Sequence, residues 1–583
     1  MDSGPNFLEN RILALKGERR RSKKSASPTI IATKTRAGVV RRLDACVANL
    51  VSKLPVELLE RVLDELPALE VLNANLVCRG WHDLIHSSLR LQFKIECFIA
   101  GIENNPNSLS ISLLERTERV KQWKRAWKRL DWSEKQCTSS QIPHVGLWED
   151  LDDFQVVGSY LGGFNPNGGN DFVFHRIGSE TRNVSAQQRS VTGTLEPSMT
   201  CRDWAFSPEE DLIAVLRVHG DTAEADVVFY TMTTGDMHPE ASSPTLPLNL
   251  DLPVPDGDSL ASLLLCQDRV IILTEDHDSG RIELQVYDWK CGNMLASLHS
   301  NRRMETICLD HAAFLSRDVI LLATTGTNQR ERSDFLIAIE LCNLSRTPCS
   351  LKDMLMHYPC VVLDFPEPLN GTGYDCITIY CDPLRARFRS DGLFESRSTA
   401  PLILLEVIFA SNASDDEDED AEDDDSTMVD FVISSEFILT ILPELRSRPM
   451  GPWGNPIVSL PVWGSHMRIL GSLLTSEVRV HGSRYLTARA LPDDKFQLVL
   501  LDFDTGPALR LDEASGDAVV RQGDYRFWNE PRDAPSGPAC REVVSSLVVN
   551  IRDSAFLLED GIAIARYRED EAAGNQELEI YSI

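Results

Sequence analysis

The 583-residue chain lacks the usual marks of intrinsic chemistry. None of its fourteen cysteines stands in a C-x-x-C pair or beside histidine at zinc-ligand spacing, so the thiols read as small core or strand residues and no metal site is expected. No nucleophile elbow, P-loop or H-E-x-x-H pattern occurs, and Gly371-Thr372-Gly373 is too short for a phosphate loop. The twelve histidines are dispersed. No catalytic residue and no cofactor is therefore assigned. Residues 1–18 contain no continuous apolar stretch of the secretory kind, and no segment approaches the roughly 20 apolar residues of a membrane span. These absences point to the cytoplasm or nucleus and to no membrane partner.

Cationic charge is scarce as well. The formal net charge is −30, ten units of it from the run Asp415–Asp425. Such acidity opposes binding to phosphate backbones or anionic lipid, so no specific nucleic acid is expected as a partner. The exception is residues 1–44, with eleven Lys or Arg against four acids and few large apolar groups; this tail is expected to be disordered. Arg19–Lys24 within it has the form of a nuclear-import signal, although for so short a pattern a plain solvated tail is the favoured reading.

What is present is ordinary globular material, 43% hydrophobic and 25% charged. From Leu54 the apolar spacing is helical. Leu54-Pro55 is followed by Leu58, Leu59, Val62, Leu63 and Leu66, and Pro67 forces a break. A second stripe, Leu69, Leu72 and Leu76, leads into Val77, Cys78, Arg79, Gly80 and Trp81, then Leu84 and Ile85, which predicts a compact three-helix unit. About 40 residues is the lower limit for a self-sufficient core. The apolar groups here fall on more than one face, so some should bury against another protein.

Residues 108–131 form one further helical segment, with Leu113, Leu114, Val120, Trp123, Trp127 and Leu130 at helical spacing among Lys and Arg. A basic, tryptophan-bearing helix could face a membrane or a calmodulin-like partner; two aromatics at i, i+4 beside folded domains more often form a core stripe. After Gly146 the chain turns to short β-rich runs punctuated by Gly, Pro, Asp and Asn, with no comparable amphipathic helix, among them Leu212–Val218, Leu402–Phe409 and Phe431–Leu442.

Three of these runs share a strand, a polar turn and a glycine at one offset: residues 228–235, 286–292 and 500–506, ending in Gly235, Gly292 and Gly506. They resemble the third strand and turn of a WD-repeat blade without its Gly-His and Trp-Asp pairs, which implies a degenerate β-propeller of six to eight blades at roughly 40–60 residues each. A β-sandwich or two unrelated β domains is the alternative. The chain stops at Glu579–Ile583 in register with a third strand, so a strand from Phe154–Leu161 or Asp171–Ile177 is expected to close the ring against the last blade.

Leu54–Leu89 resembles the F-box at Leu54, Pro55, Glu57, Leu58, Leu59, Val62, Leu63, Leu66, Pro67, Leu76, Val77, Cys78, Arg79, Trp81 and Ile85. Glu118–Trp132 is similar to the helix that joins F-box and propeller-like regions in fungal F-box proteins. The resemblance implies a non-catalytic substrate-receptor subunit of an SCF-type ubiquitin ligase. Leu54, Pro55, Leu58, Leu59, Val62, Leu72, Leu76, Val77, Cys78 and Trp81 would dock a Skp-family adaptor, and through it cullin and RING subunits; the β region would bind an unidentified protein substrate. A scaffold outside a ligase and a propeller enzyme are the alternatives. The expected fold class is multidomain α+β, with a basic tail (1–44), F-box (45–95), helical linker acting as a stiff connector (96–145) and a propeller (146–583) carrying a disordered acidic loop at about 411–427.

Overall fold

The computed structural model describes residues 54–105, 111–130 and 154–582, less 166–170, 193–199, 219–224, 249–260, 277–278, 306, 327–333, 366–373, 383–391, 397–400, 410–426, 446–456, 459–462, 464–465, 472–478, 493–494, 504–539, 551–552 and 568–575. The basic tail with Arg19–Lys24, the acidic run Asp415–Asp425, the Gly371–Gly373 stretch and Gly506 lie outside the described residues. The chain divides into two compact units, one ending at Gln92 and one beginning at Phe93.

The first unit is built on prolines. Pro55 and Pro67 stand at the N-caps of helices α1 (Val56–Glu65) and α2 (Ala68–Ala74), where a missing N–H costs nothing and the fixed φ suits the entry. Helix α3 (Arg79–Ser87) follows, then α4 (Leu89–Ile99), which runs on into the second unit. Leu63, Val71, Ala74, Leu84, Ile85 and Leu91 fill the interior. Ser88, buried, donates its hydroxyl to the Glu60 carboxylate, and Arg90 pairs with Asp64 at 2.6 Å.

The second unit is a ring of seven sheets. Each blade is an antiparallel meander, extended in blades 3 and 4 by a short parallel fifth strand, and opens on its inner strand: Phe154–Val157, Thr200–Ser207, Ala261–Cys266, Ile307–Ser316, Tyr374–Cys381, Val480–His481 and Ser554–Leu558. The glycine-marked repeats are third strands, as expected: Ala225–Thr231, Arg281–Asp288 and Lys495–Asp502 in blades 2, 3 and 6. Gly235 and Gly292 adopt φ of 76° and 69°, which explains glycine at the turn out of that strand.

Cohesion comes from seven apolar clusters, each between two consecutive blades. Phe174, Trp204 and Phe206 join blades 1 and 2, and Phe154, Leu161, Phe556 and Leu578 join blades 1 and 7. Polar side chains stitch neighbouring blades in the same order, from inner strand to inner strand except for Ser300, which stands on the fourth strand of blade 3. Gln155 donates to the Trp204 carbonyl, Asp203 accepts from the Leu263 amide, Ser300 from Leu309 at 3.0 Å and Asp310 from Ile377 at 3.0 Å.

Two expectations are corrected. Ring closure does not use a borrowed strand: Phe154–Val157 and Asp171–Arg176 are the first and third strands of blade 1, and among the described residues blade 7 has three strands of its own. Closure comes instead from face-to-face packing and a buried charge cluster. Arg182, 2% exposed, lies 2.5 Å from Asp560 and 2.9 Å from Glu559; Ser159 donates to Asp560; the Glu559 amide donates to the Gly158 carbonyl. The second correction concerns Phe431–Leu442, which is a strand only to Ser434; Ser435–Leu445 is a helix with Ile438 and Leu442 buried, and Leu351–His357 is another. A short, largely apolar run carries no period that tells strand from helix.

The Trp-bearing segment is helix α5 (Leu113–Arg129). Ser112 caps it by accepting from the Glu115 amide at 3.2 Å, Lys128 and Arg129 sit in the last turn, and Leu130 ends it with φ 48°. Trp123 and Trp127 form a core stripe, packed with Val120, Phe93 and Cys97 against Phe394, Leu486, Leu498 and Ile562 of the propeller. The Arg484 guanidinium lies 4.7 and 4.1 Å from their ring centroids. Ile102–Asn104 adds an antiparallel pair with Phe394–Ser396, an excursion within blade 5. This helix is thus part of the propeller's own core.

Candidate functional site

Apolar side chains that cannot reach the small helical interior must lie outside it, and they do. Leu54, Val56, Leu58, Val62, Leu76 and Val77 are all exposed, Leu76 by 84% and Val77 by 65%. Pro55 and Cys78 are exposed too, while Leu59, Leu72 and Trp81 are half-buried. None of the ten residues singled out in sequence is committed to the interior. On α1 the division follows helical spacing: Leu63 points inward, Leu58 and Val62 outward. Val77 and Leu76 lie in the turn before α3, whose Cys78 cap is fully extended with φ −158°. Val56 is the addition the pattern did not mark. Its signal was the helix period, one turn from Leu59.

In the propeller, the inner strands enclose a cavity of about 660 Å³, within the roughly 300–1,000 Å³ of ordinary ligand sites. Its wall includes Asp203, Glu209, Gln267, His311, Cys381, Asp382 and His481. Burial pushes the His311 imidazole down to about 4, so it is neutral at pH 7, and its Nδ1 accepts from the Ile379 amide at 3.4 Å. His481 is 4% exposed; Asp382 lies 3.0 Å from its Nδ1, and among the described residues its Nε2 has no partner. The adjacent Cys381 thiol is pushed up by burial and by Asp382, which makes it a poor thiolate nucleophile. Among the described residues no group of three or more His, Cys, Asp or Glu could hold a metal ion, and no helix is long and apolar enough to cross a membrane. Sequence reading passed over Asp382 and His481, which are 99 residues apart and meet only through the neighbouring inner strands of blades 5 and 6.

Residues 51–95 match the family model described as F-box-like. No curated protein matches the chain. Among solved structures, Hsv2 of Kluyveromyces lactis is 10% identical over 44% of this chain and 67% of its own, with a TM-score of 0.22. A prolyl endopeptidase is 10% identical over 83% and 56%, with a TM-score of 0.27, and the plexin A4 extracellular region 9% over 74% and 39%, with 0.29. Scores this low carry no argument, and the seven-bladed ring rests on its own strand pairing and inter-blade clusters. A matched F-box-like domain ahead of that ring makes this chain an F-box protein with a β-propeller.

Proposed function

We propose that the chain is the substrate-receptor subunit of an SCF-type ubiquitin ligase. In this reading the helical unit docks a Skp-family adaptor, which brings cullin and RING subunits, and the propeller binds the protein to be modified. The observation that carries it is the exposed apolar set Leu54, Val56, Leu58, Val62, Leu76 and Val77 on a unit of a few short helices. Apolar anchors of this kind dominate protein interfaces once a partner covers them, and F-box domains as a class bind such adaptors.

The chain itself then contributes binding and geometry, with ubiquitin transfer left to the other subunits. Affinity capture of the full-length chain tests this: adaptor and cullin should be recovered together and lost on Leu54→Ala/Pro55→Ala double substitution. Adaptor without cullin would mean a scaffold outside the ligase, and neither would refute the reading. We place the chain in the cytoplasm or nucleus; imaging of a tagged chain, with and without substitution of Arg19–Lys24, tests that.

A further inference from the structure

His481 is an unexplained group of the propeller cavity. A buried polar atom without a hydrogen bond is destabilising and calls for an explanation. In the neutral imidazole, pairing with Asp382 sets Nδ1 as the proton-bearing nitrogen and leaves the Nε2 lone pair as an acceptor. The ligand that satisfies this tautomer brings an N–H or O–H donor.

Its charge follows from the surroundings. His481 ends the inner strand of blade 6, Asp382 and Gln267 directly follow those of blades 5 and 3, and Glu209 comes two residues after that of blade 2. All four line the same cavity, and because every blade opens on its inner strand these strand ends share one mouth. The Cys266 thiol, also in the wall, feels Glu209, Asp268, Asp318 and Arg317 together, which places those groups around it. Arg202, the arginine of the cavity wall, stands near the start of the blade 2 inner strand, away from Glu209; of the cations at the Glu209 end, Arg317 is 2.6–2.7 Å from Asp268, and Arg269 pairs with Asp288 at 2.5 Å and Asp268 at 3.0 Å. A mouth bearing Glu209 and Asp382, with its arginines held by aspartates, repels phosphate and carboxylate groups and attracts cations.

We infer that the mouth of the central cavity binds a cationic N–H donor, an ammonium or guanidinium group, with His481 Nε2 as acceptor and Asp382 and Glu209 as counter-charges. This deepens the receptor reading, on which it rests only for the source of that group, an arginine or lysine side chain of the bound target. A free amine has the same chemistry, and the test separates the two.

The full-length chain is titrated calorimetrically with a capped glycine pentapeptide bearing one central arginine, with its citrulline counterpart, with a central-glutamate counterpart and with agmatine. The arginine peptide should bind at least about tenfold more tightly than the neutral citrulline peptide, and the glutamate peptide least. Asp382→Asn and His481→Gln should each weaken it about tenfold or more. Glu209→Gln, a charge change at the half-exposed rim, should weaken it about threefold even if the deeper variants fail to fold. Agmatine binding as tightly as the peptide would support the site with a small amine as its ligand; the peptide binding more tightly supports a protein side chain. No binding of either, preference for glutamate, or affinity unmoved by Glu209→Gln in a folded chain overturns the inference. Adaptor capture by the same variants should be unchanged, so failure at the cavity and failure of the receptor reading register separately.

Discussion

The charge cluster that joins the last blade to the first predicts an asymmetry between its members. Arg182 faces two carboxylates, Asp560 at 2.5 Å and Glu559 at 2.9 Å, and donates its Nε to the Phe394 carbonyl at 2.8 Å. Arg182→Met leaves two adjacent acids buried without a cation; breaking a buried pair in this way costs about 3–5 kcal/mol. Asp560→Asn leaves Arg182 matched one to one with Glu559. Its gross loss is one ion pair, about 4 kcal/mol at 4 Å with an effective dielectric near 20. That loss is offset by removing the repulsion between the two acids and the desolvation of Asp560, whose pKa burial already holds above the carboxylate range despite Arg182. The expected net cost is therefore only about 1–2 kcal/mol. Urea unfolding of the full chain at pH 7 gives both numbers. The Arg182→Met deficit should also shrink as pH falls and the orphaned acids take up protons. Equal costs for the two variants, or an Arg182→Met midpoint within error of wild type, would refute the reasoning.

Other positions give equally direct expectations. Leu76→Asp and Val77→Asp should change stability by no more than about 0.5 kcal/mol, since both side chains face solvent, yet abolish adaptor capture; a wild-type capture level counts against the docking face. A Cβ at Gly162 would fall 2.8 Å from Phe206 and 2.9 Å from Trp204, so Gly162→Ala should cost about 1–3 kcal/mol by overpacking the junction of blades 1 and 2, read from its melting midpoint. Burial pushes His175 and His311 down to about 4. Unfolded imidazoles protonate below about 6.5 while these stay neutral, so stability should fall as pH drops from 6.5 to 4. Asp310, pushed up to about 6 by burial, opposes this by taking up a proton first in the folded state. His175→Gln should flatten the loss and Asp310→Asn steepen it, measured as urea midpoints at pH 7 and 5.

The helical unit was legible because its signals are local. Pro55 and Pro67 punctuate the chain where the helices begin, and the period of Leu58, Leu59, Val62 and Leu63 states which side chains share a face. The blades were legible at their third strands, where the turn needs positive φ and so leaves a glycine in the sequence. Closure was not, because a borrowed strand and a packed face present the same alternating apolar pattern, and the cluster that decides between them joins Arg182 to residues 559 and 560. The Asp382–His481 pair was hidden for the same reason, since neither residue departs locally from an ordinary strand end.

The place of α5 bears on how the chain comes off the ribosome. Trp123 and Trp127 are made early, but the blade 6 and 7 residues that cover them, from Leu486 onward, are made some hundreds of residues later. At roughly 5–20 residues per second the two indoles wait on the order of half a minute for their burial partners. During that interval a basic helix with an uncovered aromatic stripe is a ready target for a holding chaperone. The last blades to be synthesised bury that stripe.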